Sequence, residues 1–478
     1  MNKMTKYLLI LSFVLAGMSA CIDDKSKDAH IQLSHITIQS ERDTFYCDYG
    51  SEQEIQANVS QDMDGQELHY EWRARYILAE GEEKQDVDSL KYISTEPVLK
   101  YTFPKLGEFQ VRLRVSNEDV SEMHYYRVFV QTGFNEGLLV LSADEQKKGR
   151  TSFLRTQNED ELLTGSEYEF KLNAFETVNP EFPFNDPTDV VKEGQRLAIS
   201  CREDQVIYIF NNRTFDLLSR VDLKVDLPWM RPIKMGNIMA TNTVPVLSER
   251  GDFGQLNLEY GIAYDDGFYP EISVYDRYCS TKNGVHCFVD NENSRIDYFR
   301  YRAFNSGDVF KEYRINNVFI TNSGDLWTIA TNEKSGRVKI SKYAQSTSIF
   351  TSIFARDPAS TLETATMATL TEEAQMIENS VFHVCFYTNG SALYQWKMIE
   401  ETTIVPLPTD PVYTADGEIT CFASSTNEKY LYLGVWNPSA ETELKGSVLV
   451  YDVENHKVVK EYPGIADKPI KILYKPAN

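Results

Sequence analysis

The chain has 478 residues, 42% hydrophobic and 25% charged, which is enough apolar sequence for full cores and too long for one ordinary domain. Its 48 basic and 71 acidic residues leave a net charge of -23, which argues against nucleic acid as a partner and against lying flat on an anionic membrane, because both need a basic surface. Aromatic residues reach 12%, with 28 Tyr and 25 Phe, a bias toward β structure.

The N-terminus reads as an address. Lys3 and Lys6 form a short positive region, Leu8–Ala16 is apolar, and the small residues Ser19 and Ala20 follow; 1–20 is therefore expected to be a secretory signal peptide, its apolar run being shorter than the about 20 residues that span a bilayer. Cys21 directly after Ser19-Ala20 resembles a bacterial lipobox, with Met18 where Leu is usual. That resemblance implies a diacylglycerol on the Cys21 thiol and cleavage just before it. Residues 21–29 make a polar tether, and its Asp23-Asp24 pair is similar to the surface-export signal of Bacteroidota lipoproteins. The implied location is the outer membrane, facing the cell exterior, with the lipid as the sole membrane contact.

Residues 30–132 alternate short strand-like runs with turns. Ile36–Ile38, Glu54–Val59, Leu68–Ala74, Val98–Phe103 and Phe109–Val115 are expected strands, with turns at Asp62–Gly65 and Pro104–Gly107 and a central Trp72. Several short strands around one Trp indicate an immunoglobulin-like β-sandwich. The wording Tyr101-Thr102-Phe103, then Gly107-Glu108-Phe109-Gln110-Val111-Arg112-Leu113-Arg114-Val115, resembles a PKD domain, with Arg73-Ala74-Arg75-Tyr76 in place of the usual Phe-Gly-Asp-Gly. The likeness is to the PKD-like branch of Bacteroidota lipoproteins. Such lipoproteins tend to accompany Sus-type pairs, so the resemblance implies a TonB-dependent transporter and its lipoprotein lid as partners, and a glycan or peptide as cargo.

Residues 133–478 repeat one pattern: an apolar strand, a polar loop with Gly or Asn, and a second strand. It occurs at Leu138–Ser142 with Thr151–Leu154, Val206–Phe210 with Leu217–Leu218, Leu326–Ile329 with Val338–Ile340, Phe382–Phe386 with Ala392–Tyr394, and Tyr430–Trp436 with Val448–Tyr451. Recurrent hairpins at this spacing indicate a β-propeller. Seven blades are expected, six or eight being the alternatives, and the fold class is all-β. Further β-sandwiches are the competing architecture.

Six cysteines remain besides Cys21: Cys47, Cys201, Cys279, Cys287, Cys385 and Cys421. Asn283-Gly284 between Cys279 and Cys287 is a hairpin-turn signal, so these two are candidates for a disulfide, the alternative being two separate buried thiols. No CxxC, HExxH, GxSxG, Walker loop or GxGxxG is present, and no catalytic residue, metal or cofactor is assigned. Asp265-Asp266-Gly267 in an aromatic stretch is the best carboxylate lead for a glycoside hydrolase, and a solvated turn is its plainer reading. Trp229 between Pro228 and Pro232, Tyr269 before Pro270, and Trp436 before Asn437-Pro438 are the candidate ligand platforms, because flat aromatic faces suit sugars and peptides. The expected function is a non-catalytic surface lipoprotein, an accessory binding or scaffold component of a Sus-type uptake complex. A surface glycoside hydrolase or lyase on a propeller scaffold is the alternative, and a structural adaptor without a small ligand is a third.

Overall fold

The computed structural model describes residues 34–63, 65–78, 90–237, 242–265, 277–280, 286–300, 303–307, 310–345, 354, 357–365, 369–372 and 374–477. Cys21, Asp266 and Tyr269 lie outside them. The chain divides into two compact units, 1–131 and 132–478.

In the first unit a five-stranded sheet has the order Thr44–Asp48, Ser121–Gln131, Gly107–Ser116, His69–Tyr76, Lys91–Ser94. Thr44–Asp48 runs parallel to Ser121–Gln131 and the other pairs are antiparallel. Two ribbons accompany it, Ile36–Gln39 with Asn58–Gln61 and Glu52–Gln56 with Val98–Thr102. Strict alternation sends Phe109, Val111, Leu113 and Val115 inward with Tyr126, Val128 and Val130 from the neighbouring strand. Trp72 is fully buried among them, its indole N–H donating to Glu96 O at 2.8 Å and its ring stacked on Tyr126. Asp62 is engaged locally, accepting from the His35 N–H at 2.6 Å.

Among the described residues the second unit contains seven four-stranded antiparallel sheets. In chain order, sheets two to seven begin with Pro187–Glu193, Pro232–Met235, Arg277–Ser280, Tyr313–Ile320, Met376–Asn379 and Glu418–Ser424. The first sheet is assembled from both ends: its strand Gly137–Ala143 pairs with Gly149–Arg155 on one side and with the last strand of the chain, Lys468–Lys475, on the other. Each hairpin expected in this region is a paired hairpin.

Apolar layers separate consecutive sheets and return to the start. Sheets one and two enclose Leu139, Leu141, Phe153, Phe175, Leu197 and Ile199; two and three enclose Ile207, Ile209, Val244 and Leu256; three and four meet through Phe253 and Phe288, ring centres 4.7 Å apart. Four and five share Val289, Ile315 and Val318; five and six share Trp327, Ile340 and Trp396; six and seven share Phe386, Leu433 and Tyr451. Seven and one close the circuit around Leu138, Val140, Tyr432 and Val450. This explains the unbroken run Leu138-Leu139-Val140-Leu141: odd and even residues bury against different sheets, so both faces must be apolar. Full burial of such a side chain is worth about 1.5–3 kcal/mol.

The closing contact is tight. A Cβ on Gly434 would lie 2.6 Å from Cys421 Sγ and 3.0 Å from Pro469 Cβ on the closing strand. Gly434→Ala is expected to destabilise the second unit by about 1–3 kcal/mol through overpacking, read as a lower urea midpoint. An unchanged midpoint would show that the last strand docks more loosely than described.

Candidate functional site

The first strands of the sheets, with the closing strand, surround a cavity of about 660 Å³. Its wall includes Val190–Glu193, Lys234–Asn237, Cys279, Asn317–Ile320, Ala374–Met376, Glu378, Lys471 and Leu473. An adjoining space of about 330 Å³ shares Lys234, Asn317, Gln375 and Lys471 and adds Thr188, Asp189 and Thr420.

A sheet edge that faces a cavity presents N–H and C=O groups without ladder partners, and these need capping. Side chains supply it from one sheet to the next. Thr188 Oγ1 donates to Pro232 O at 3.0 Å, and Asp189 Oδ2 accepts from the Met235 N–H at 2.9 Å. Asn291 accepts from the Ile315 N–H at 2.7 Å. Asn317 Nδ2 donates to Ala374 O at 2.9 Å, Gln375 bonds both the O and the N–H of Phe422 at 3.0 and 3.2 Å, and Thr420 Oγ1 donates to Pro469 O at 2.6 Å. Lys471 Nζ completes the passage from the closing strand to sheet two, 3.2 Å from Asp189 Oδ1.

Irregular registers put those side chains in place. The ladder slips at Pro187/Asp189, Pro232/Lys234, Ile315/Asn317 and Ile419/Cys421, and opposite Leu141/Ser142 on the closing strand. A bulge turns a side chain that would otherwise pack between sheets toward the cavity. Three of these sites share a wording, Pro187-Thr188-Asp189-Val190, Pro232-Ile233-Lys234-Met235 and Pro469-Ile470-Lys471-Ile472, with Pro where a ladder donor is not needed.

Asp189, Lys471 and Glu378 are engaged charged groups of the wall. Asp189 is buried and holds Lys471 and two backbone N–H groups. Burial raises the Glu378 carboxyl, with Glu428 and Asp325 adding to the rise, and the Asn322 N–H that it accepts offsets part of it. Burial lowers the Lys192 ammonium against the pull of Glu193. Behind the wall, Lys475 is fully buried and donates to Asn135 O at 2.7 Å, with the rings of Phe153 and Phe215 each 6.0 Å away. Burial first, then repulsion by Lys192 and Arg213, pushes its ammonium down to about 7, against the attraction of Glu136. Among the described residues no group of three or more His, Cys, Asp or Glu is placed to hold a metal ion.

Of the aromatic platforms expected from the sequence, Tyr269 lies outside the described residues, and Trp229 and Trp436 stand by different sheets. Trp229 is half-buried against the layer between sheets two and three. Trp436 ends a strand of sheet seven, with Lys468 Nζ 4.7 Å from its ring centre. Neither lines the cavity. Cys279 and Cys287 are direct register partners on adjacent strands of sheet four, and both are free thiols. Burial raises the buried thiols, Cys421 to about 12, which makes them poor nucleophiles.

No family model matches the chain, and no curated protein does. Solved structures do. The chain is similar to a quinonprotein alcohol dehydrogenase-like protein from Bacteroides thetaiotaomicron, at 12% identity and a TM-score of 0.51 over 91% of this chain and 96% of that one. It is also similar to a protein from Lactobacillus plantarum (12% identity, TM-score 0.48, 71% and 99% covered) and to the Cps50 (Swd1) β-propeller domain of Myceliophteria thermophila (11%, 0.36, 58% and 89%). The fold is all-β and propeller-like. At such identities the likeness concerns the fold alone.

Two outcomes follow from this geometry. Gln375→Ala orphans the N–H and O of Phe422 and is expected to cost about 1–3 kcal/mol, measured by urea unfolding. Lys475 sets a pH dependence. An unfolded lysine keeps its proton to about 10.5, so between pH 7 and 10.5 the unfolded chain binds more protons than the folded one. Stability therefore rises with pH across that window and is level below it as far as Lys475 is concerned. Lys475→Met is expected to remove that rise and to raise stability at pH 7; an unchanged slope would place the effect elsewhere.

Proposed function

We propose that this chain is a non-catalytic, lipid-anchored protein of the outer-membrane surface that binds cargo, or docks a partner, for a Sus-type uptake complex of a TonB-dependent transporter and its lipoprotein lid. In this reading Cys21 carries the lipid, 30–132 is the PKD-like, immunoglobulin-like spacer, and the seven sheets are the seven blades of a propeller. Glycan and peptide both remain candidate cargo.

The observation that carries the binding reading over the enzymatic one is the engagement of two carboxylates of the cavity, buried Asp189 and half-buried Glu378. Hydrolysis of a glycoside needs two carboxyl groups free to face one bond across a gap of about 5–9.5 Å. Asp189 is committed to Lys471 and to the backbone of two strands, and Glu378 to Asn322. Removing either from its post breaks a contact between neighbouring sheets. A propeller has no long free sheet edge, so recognition falls to its loops and its central cavity.

The decisive experiment is purification of the tagged native chain from detergent-solubilised outer membrane. Stoichiometric recovery of a TonB-dependent transporter, together with a mature N-terminus at Cys21 bearing a diacylglyceryl mass and lost in Cys21→Ala, is the expected result. An unlipidated N-terminus would overturn the anchor, and recovery without any transporter would overturn the partnership. Turnover of a glycan panel by the pure protein would return the hydrolase or lyase reading.

A further inference from the structure

The first unit carries a face that contradicts the charge of the chain. Alternation along the five-stranded sheet turns Arg73 and Arg75, Arg112 and Arg114, and Arg127 to the side opposite the Trp72 core, against Glu71 and Glu108 on the same strands and Asp48 on the edge strand. The register sets these residues in rows. One row reads Tyr92, Arg73, Arg112, Tyr125 across four strands; the next reads Arg75, Gln110, Arg127; another sets Glu108 beside Phe129 and Tyr46, the last two stacked at 5.2 Å. Tyr46, Tyr92, Tyr125 and Met123 are exposed at 65, 56, 50 and 44%.

Arg73 and Arg112 stand directly opposite each other, and like charges in that position repel. Glu71 is the anion between them, 3.1 Å from each guanidinium. One carboxylate for two guanidiniums leaves the row positive, and Arg75 and Arg114 stand exposed beside it. Arg112 Nε is buried without a hydrogen-bond partner among the described atoms. A second copy of the same face is an unsuitable cover, because a two-fold contact would set arginines against arginines.

We propose that this sheet face binds a linear anionic polysaccharide, at a site separate from the cavity of the second unit. Strands roughly 4.8 Å apart and same-face residues roughly 6.8 Å apart space the five guanidiniums over one flat face, Arg73 and Arg112 sharing Glu71, Arg127 held by Glu108 at 2.7 Å, and Arg75 and Arg114 exposed; such spacing suits a polymer with repeating carboxylates or sulfates better than the scattered acids of a folded protein. Arginine takes such groups bidentately, and the exposed tyrosines offer flat faces to sugar rings at low entropic cost. Carboxylate and sulfate share this chemistry, and the test separates them.

The test is retardation of the purified full-length chain in native gels containing polygalacturonate, chondroitin sulfate or neutral dextran, with binding constants from the concentration series. Retardation by one or both polyanions and none by dextran is expected; the stronger of the two names the group recognised. Arg75→Glu/Arg114→Glu is expected to weaken binding at least about tenfold, and Tyr125→Ala to weaken it severalfold, with melting curves unchanged because all three side chains are exposed. Lys397→Glu, a surface charge change in the second unit, is expected to leave it unaltered. Absence of retardation by either polyanion, or equal retardation of the charge-reversed variant, would overturn the proposal, as would binding confined to an acidic protein. None of these outcomes bears on transporter co-purification, so the two readings fail independently.

Discussion

The structure of the second unit turns on how the innermost edge of each sheet is satisfied. Packing each sheet on the next buries the faces of a ring of sheets, but the edges at the centre still carry unpaired backbone groups. Here a side chain on one inner strand reaches the backbone of the following one: Thr188 to Pro232, Asn317 to Ala374, Gln375 to Phe422, Thr420 to Pro469. The bond that caps an edge is thus also the bond that spaces the sheets. The bulges follow from this need, since a regular strand would point those residues into the apolar layers where a polar group without a partner costs free energy.

Chain closure draws on the same economy. The last strand completes the first sheet, so the two ends of a segment of more than three hundred residues are held by one ladder. Farther from the centre, carboxylates bridge neighbouring sheets: Glu203 with Lys147 at 3.0 Å, Glu249 with Arg202 at 3.3 Å, Glu428 with the Ser380 hydroxyl at 2.7 Å, and Glu159 with the Tyr432 hydroxyl at 2.7 Å. Singly, exposed pairs of this kind contribute about 0–1 kcal/mol. Their effect is on register between sheets more than on total stability. Part of the acidity of the chain therefore has a structural use.

Legibility in the sequence followed the physics of burial. Val111, Leu113 and Val115 face one core and alternate with polar residues, so the strand was plain. Leu138–Leu141 faces two layers and loses alternation, yet its short apolar run between turns still read as a strand. Ser121–Gln131 is harder to read because its outward residues include Met123, Tyr125 and Phe129 beside Arg127, which blur the polar half of the pattern. The cavity wall escaped for another reason: its residues are defined by a slip in register, and composition does not reveal a bulge. The Pro-x-Asp/Lys-apolar wording at Pro187, Pro232 and Pro469 was visible, but its meaning depends on which strand is innermost. The flanking prolines of the expected aromatic platforms mark a break in a strand without telling which way the ring faces.

The same distinction governs where recognition can reside. A wall in which Asp189, Asn317, Gln375, Thr420 and Lys471 hold neighbouring strands is preorganised but poorly free to change: altering Asp189 for a new ligand also alters the join between sheets two and three. Ligand-specific residues are more freely exchanged where a side chain has no structural partner. On the outward face of the five-stranded sheet the exposed Arg75 and Arg114 come nearer that condition, for the fold there is secured from the opposite side by Trp72, Tyr126 and the alternating valines. In the chain as a whole, affinity is more readily tuned on that sheet face than in the cavity.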